Sequence, residues 1–224
     1  MRSRRLPAGA LAVAVATAVL VSGCGSDDDW SRPHAKPTAV GALGAGFSDP
    51  AAPPAPEATI TPSPGSWDAV RSPAGYRVVL LTAGEDPQTR TLVSSVTEWA
   101  EEADASLKTI KATKHDEFVP SIVKAMDLAP DLIISAGNDL IDPLALVTPN
   151  HLDQRFLVIG AELAEPTHNV TAADWTGASF RGEGLGMSSS YDPATFTAER
   201  AGRAVRAGVA AVLNGLTGIV IWLD

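Results

Sequence analysis

From Tyr76 onward, short apolar runs alternate with longer stretches in which apolar residues recur every three or four positions. The run "YRVVLLTAG" is almost continuously apolar and closes on Gly84, the pattern of a strand buried on both faces. In "TLVSSVTEWAEEA" Leu92, Val96, Trp99 and Ala103 recur at helical spacing, and "ASLKTIKA" predicts a second strand. "HDEFVPSIVKAMDLAP" places Phe118, Val119, Ile122, Val123 and Met126 on one helical face, with Pro130 closing the helix. "DLIISAGN" predicts the third strand. "DPLALVTPNHLD" opens a short helix with Asp142 as N-cap and Pro143 at the first helical position. "RFLVIGAEL" and "NVTAADW" predict strands four and five. "FTAERAGRAVRAGVAAVLNGL" reads as a long helix with Val205, Val209 and Val212 inward and Arg200, Arg203 and Arg206 in solvent, and "GIVIWLD" as the last strand.

Strands alternating with helices imply an α/β fold, a doubly wound parallel sheet with right-handed crossovers. In such a sheet the ligand site lies beyond the carboxyl ends of the strands, where strand order reverses. The first and third strands end there in "TAGEDP" and "SAGNDLIDP". Asp86, Asn138, Asp139 and Asp142 are the candidate ligand-binding residues of these turns. A pair of acidic tips is a poor seat for phosphate; an ionised carboxylate accepts from two vicinal hydroxyls at once. Three of these residues also have a purely structural explanation: Asp142 as a helix cap, Asn138 and Asp139 as turn residues. Trp175, Phe180 and Tyr191 lie among glycines and serines in "DWTGASFRGEGLGMSSSYDP". Trp175 and Phe180 are candidates to stack on a base, against the alternative that these rings cover the sheet edge.

The chain before Tyr76 differs in kind. Gly25 to Gly75 holds 9 of the 17 prolines and no sustained period, the composition of a semi-extended spacer. Trp30, Phe47 and Trp67 interrupt it, as incidental aromatics or as docking groups. Upstream, Arg2, Arg4 and Arg5 precede an uncharged apolar run from Leu6 to Val21, which reads as a secretory leader too short for a comfortable membrane span. The single cysteine, Cys24, follows in "VSGC", which resembles a bacterial lipobox. That resemblance implies cleavage after residue 23 and diacylation of the thiol, two chains being enough for stable attachment. The organisation expected is a leader (1–23), a lipid-anchored linker (24–75) and one α/β domain (76–224), outside the cytoplasmic membrane.

Charge narrows the partners. The net charge of −9 still includes the three leader arginines, so the remainder is more acidic, which disfavours nucleic acid and anionic lipid surfaces. No Gly-x-Ser-x-Gly elbow, phosphate loop or His-Glu-x-x-His is present, and "GEGLGM" lacks the preceding strand of a dinucleotide fingerprint. His115, His151 and His168 are far apart and read as surface or capping residues. The expectation is therefore a protein that binds rather than catalyses, with neither metal nor cofactor.

The stretch "PDLIISAGNDLIDPLALVTPNHLDQRFLVIGAELAEPTHNVTAADWTGASFRGEG" resembles the basic membrane protein family of substrate-binding lipoproteins. The resemblance implies one lobe of a type I periplasmic-binding-protein fold, a purine nucleoside as small-molecule ligand, and an ABC permease as partner. Asp142 corresponds by order to an acidic residue at the start of that family's third helix. The Ser-Phe-Asn element that follows the family's first strand is absent, the positions reading "GEDPQTRTLVSSV". Two lobes need two sheets, and this sequence supplies about one, so a second lobe from another chain is the partner expected. The alternative is a single-lobe envelope lipoprotein with a protein-interaction role and no ligand.

The anchor assignment has a direct test. Cys24→Ser is expected to leave unprocessed precursor or released protein; recovery of the variant at mature size in a detergent-phase membrane fraction overturns it.

Overall fold

A computed structural model describes residues 29–32, 35–178 and 180–224; the leader and Cys24 lie outside the described residues. Seven strands form one wholly parallel sheet: β1 (Thr59–Ile60), β2 (Arg77–Ala83), β3 (Ser106–Ala112), β4 (Leu132–Ala136), β5 (Phe156–Ile159), β6 (Val170–Asp174) and β7 (Val220–Trp222). Their spatial order is β1-β7-β6-β5-β4-β2-β3. Helices α1 (Pro87–Glu102), α2 (Phe118–Asp127), α3 (Ile141–Val147) and α4 (Ala198–Leu213) cover the two faces. This is the doubly wound α/β architecture expected from the alternation of elements.

The core divides along the pleat. In β2, Val78 and Leu80 face α1 and α4, whereas Val79, Leu81 and Ala83 face α2 and α3. The same alternation in β4 and β5 sends Leu132, Ile134, Leu157 and Ile159 to the first layer and Ile133, Phe156 and Val158 to the second. Helix α4 lies directly on β5: a Cβ at Gly208 would stand 2.5 Å from Leu157 Cδ1, so only glycine permits the approach. Val205, Val209 and Val212 are buried as expected. Arg206 is engaged as well as solvated, its Nη2 lying 2.5 Å from Glu102 Oε2 across to α1.

Two helices depart from expectation. On α2 the buried residues are Phe118, Ile122 and Ala125, while Val119 and Val123 are at least a third exposed. A helix lying over an edge strand buries a narrower stripe than a central one, and valines at its flanks stay in solvent. Helix α3 begins two residues earlier than predicted, with Leu140 at the N-cap and Asp142 inside the first turn. The chain turns upward at Asn138, whose carbonyl accepts from Ile141 N at 3.1 Å, so the helix starts before Asp142 can cap it. A 3-10 turn (Thr148–Asn150) replaces its expected second half.

The largest correction concerns the spacer. The described part of 24–75 packs on the domain and adds a strand to its sheet. Phe47, Trp67 and Val70 belong to the α1/α4 core layer, Phe47 and Trp67 meeting edge to face at 6.4 Å. Trp30 joins the other layer, donating from Nε1 to Ser106 Oγ at 2.8 Å beneath Lys108 Nζ, 4.2 Å from the ring. Backbone bonds fix the path: Val40 and Arg71 exchange two, Glu57 N donates to Gly218 O, and Val220 N donates to Ala58 O. Composition misleads here because prolines suppress regular periods and at the same time lower the entropy lost on ordering. A few large aromatics then suffice to hold the segment, each worth about 2–3 kcal/mol when fully buried.

It follows that a chain beginning near Ser72 loses Phe47, Trp67, Val70 and β1 together. At roughly 2–4 °C per kcal/mol for a domain of this size, its melting temperature should fall by about 10 °C or more. Melting within about two degrees of the longer protein would show that the segment is a passive tether.

Candidate functional site

Strand order reverses between β2 and β4. From β2 the chain crosses by α1 to β3 on one side, and from β4 it crosses by α3 to β5 on the other, so neither crossover covers the carboxyl ends between them. Both strands leave the sheet through a glycine with positive φ: Gly84 at +77° and Gly137 at +93°. Space as well as conformation demands glycine. A Cβ at 84 would stand 2.6 Å from Asp139 Oδ2 and 3.4 Å from Asp86 Oδ2, and one at 137 would stand 2.9 Å from Thr89 Oγ1.

The two turns thus bring Asp86, Asn138 and Asp139 to one small crevice, as the sequence predicts. Gln88, Thr89, Gly137, Tyr191 and Phe196 complete its lining, and its volume is about 70 Å³. Asp86 caps α1, accepting from Thr89 N at 2.9 Å and from Thr89 Oγ1 at 2.6 Å. Partial burial pushes its carboxyl upward, but the hydrogen bonds from Thr89 outweigh it and hold the group below the usual carboxylate range. Tyr191 moves the other way: burial and the Asp86 charge raise its phenol above its ordinary value, so it stays a neutral hydroxyl donor. Asn138 Oδ1 is buried with no hydrogen-bond partner. Asp139 is exposed on the rim.

The remaining sequence candidates lie elsewhere. Asp142 neither caps a helix nor lines the crevice; its carboxylate accepts from Glu183 N at 3.2 Å and holds down the connection after β6. Trp175 is fully buried, donates from Nε1 to Thr195 Oγ1 at 3.1 Å and stacks edge-on against Phe196 at 5.2 Å. It offers no face to a ligand and supports the ring that does. Phe180 packs against the α2/α3 core layer, its carbonyl accepting from Glu162 N. Neither Trp175 nor Phe180 lines the crevice, and Trp175 follows β6, an interior strand, so it does not cover a sheet edge either.

Tyr191 and Phe196 supply the aromatic wall instead, their rings 5.8 Å apart. Phe196 looked like part of the long helix, but a 3-10 turn (Pro193–Thr195) intervenes and Thr197 caps α4. Thr89, three residues after the capping Asp86, carried the only other available signal, that of a helix start. Among the described residues no three His, Cys, Asp or Glu side chains converge as a metal site, and no helix is long and apolar enough to cross a membrane. The crevice offers carboxylate acceptors, the amides of Gln88 and Asn138 and one phenol, which suits reversible binding of hydroxyl and amine groups.

The chain matches no protein-family model and no curated protein. Among solved structures it is similar to an ABC transporter solute-binding protein from Aeropyrum pernix K1 (20% identity, TM-score 0.41, covering 45% of this chain and 29% of that one). It is also similar to a putative lipoprotein fragment from Peptoclostridium difficile 630 (15% identity, TM-score 0.44, 62% and 98%). A further likeness is to an ABC transporter solute-binding protein from Conexibacter woesei DSM 14684 (15% identity, TM-score 0.38, 65% and 54%). The chain therefore spans less than a third of the first protein and about half of the last.

Proposed function

We propose that this chain is an extracytoplasmic, lipid-anchored substrate-binding protein that takes a small polar solute of the nucleoside kind at the β2/β4 crevice and serves an ABC-type importer. The observation that carries this reading is the convergence of groups at the strand reversal: the Asp86 and Asp139 carboxylates, the partnerless buried Oδ1 of Asn138, and the Tyr191–Phe196 wall. A ribose supplies vicinal hydroxyls to the carboxylates, an exocyclic amine supplies the donor that Asn138 lacks, and a base supplies a face for the aromatic wall. Cys24 fixes the protein to the membrane, in keeping with its lipobox-like context.

A crevice of about 70 Å³ is far below the roughly 300 Å³ or more of sites that enclose a small molecule. In this reading a second surface closes it, contributed by another copy or by another chain. The same small volume favours the second reading, an envelope interaction protein without a ligand. So do Leu185 and Met187, about half exposed in the connection that carries Tyr191.

Purine nucleosides at a hundred times the dissociation constant should stabilise the folded protein by about 2.7 kcal/mol, a readily measured rise in melting temperature. Asp139→Asn should remove that rise and leave the unliganded melting temperature unchanged, because Asp139 is exposed and accepts no hydrogen bond among the described residues. Asp86→Ala is the less informative variant, since loss of the cap alone costs about 1 kcal/mol. No shift with any nucleoside, sugar or amino acid, on protein shown to be folded, decides for the interaction protein.

A further inference from the structure

We infer that a second groove, on the face of β1 and β7 turned away from α4, binds an organic ammonium ion. Ile60 and Ile221 point into the α1/α4 layer, so Thr59, Thr61, Val220 and Trp222 point to the opposite face. There they floor a groove of about 390 Å³ lined only by strand and connection residues, a volume suited to a small molecule. The N-terminal segment supplies Glu57, Thr59 and Thr61 to it, and β1 is held there by its pairing with β7.

Hydrogen-bonding capacity in the groove is unbalanced. Its one guanidinium is already committed: Arg181 Nε pairs with Glu162 at 3.1 Å and Nη2 donates to Ala164 O. Glu162 is 4% exposed and also accepts from Ser188 Oγ at 2.8 Å, so the carboxylate of this pair is buried while the Arg181 side chain stays about a third exposed. The Trp222 indole N–H is likewise used, on Asp224 Oδ1 at 3.1 Å, which places another carboxylate at the ring edge. What remains is Glu57, which has no ion-pair partner among the described residues, together with the Thr59 and Thr61 hydroxyls and the indole face.

Such a groove is rich in acceptors and negative in charge. An anion is repelled by Glu57 and Asp224, and a neutral polyol meets few free donors. An ammonium group satisfies both features, its charge on the carboxylates and its carbon body against Trp222, the strongest aromatic partner for a cation. Arg181 does not oppose it, because Glu162 neutralises that charge at contact distance.

Calorimetric and thermal-shift titration of the full chain with choline and tetramethylammonium tests the assignment, with 3,3-dimethylbutan-1-ol as the uncharged isostere of choline. The cations should bind and raise the melting temperature, with affinity falling as salt rises, and the isostere should not. Glu57→Gln should weaken binding about tenfold without changing the unliganded melting temperature, Glu57 being exposed. Trp222→Phe, which keeps an apolar ring in β7, should weaken it less. Equal binding of the isostere, an unchanged affinity in Glu57→Gln, or no binding of either cation overturns the proposal. So does loss of choline binding in Asp139→Asn, which moves the cation to the β2/β4 crevice.

Discussion

The constraint on which the rest of the structure depends is that β2 and its neighbours must be apolar on both faces. Val78 and Leu80 face one helical layer and Val79 and Leu81 the other, each of them fully buried. A strand buried on two sides at the middle of a parallel sheet forces the chain to cross back over each face in turn. Reversal of that crossing between β2 and β4 leaves the ends of these two strands uncovered. The crevice is therefore a by-product of burying the sheet, and only its lining is open to selection for a ligand.

Edges pose the opposite problem. Without β1, strand β7 would present an open row of backbone donors and acceptors, a surface on which other chains can add strands. The 57–61 segment covers that edge, while Phe47 and Trp67 extend the α1/α4 layer. The segment is thus part of the domain's stability and, in the groove over β1 and β7, part of its surface chemistry. A region that forms no helix and a strand of only two residues does work usually given to longer elements.

How far all this was legible follows from where period and packing coincide. The strands and long helices were legible because "VVLLTA" and the Leu92–Val96–Trp99 spacing have a local period that burial preserves. Asp86, Asn138 and Asp139 were legible because topology alone locates the ends of β2 and β4. Phe196 was hidden by the helix that follows it, and Trp175 misled because its glycine-rich surroundings look exposed while the ring is enclosed by Thr195 and Phe196. The role of 35–75 was illegible for a deeper reason. Its order comes from contacts with residues far along the chain, such as Gly218 and Val220, and no local period records those.

The docking of Trp30 fixes which end of the sheet the segment around residues 29–32 meets. Trp30 bonds to Ser106, at the first residue of β3, and Arg77 at the start of β2 donates to the carbonyls of Asp29 and Arg32. Because the sheet is wholly parallel, this is the end opposite the crevice, about 20 Å away along strands of seven residues. The Trp30 contact consists of one indole hydrogen bond to Ser106 and of Lys108 and Arg77 over a ring that is itself buried in the α2/α3 core layer, so polar and apolar contacts together tie this segment to the amino ends of β2 and β3.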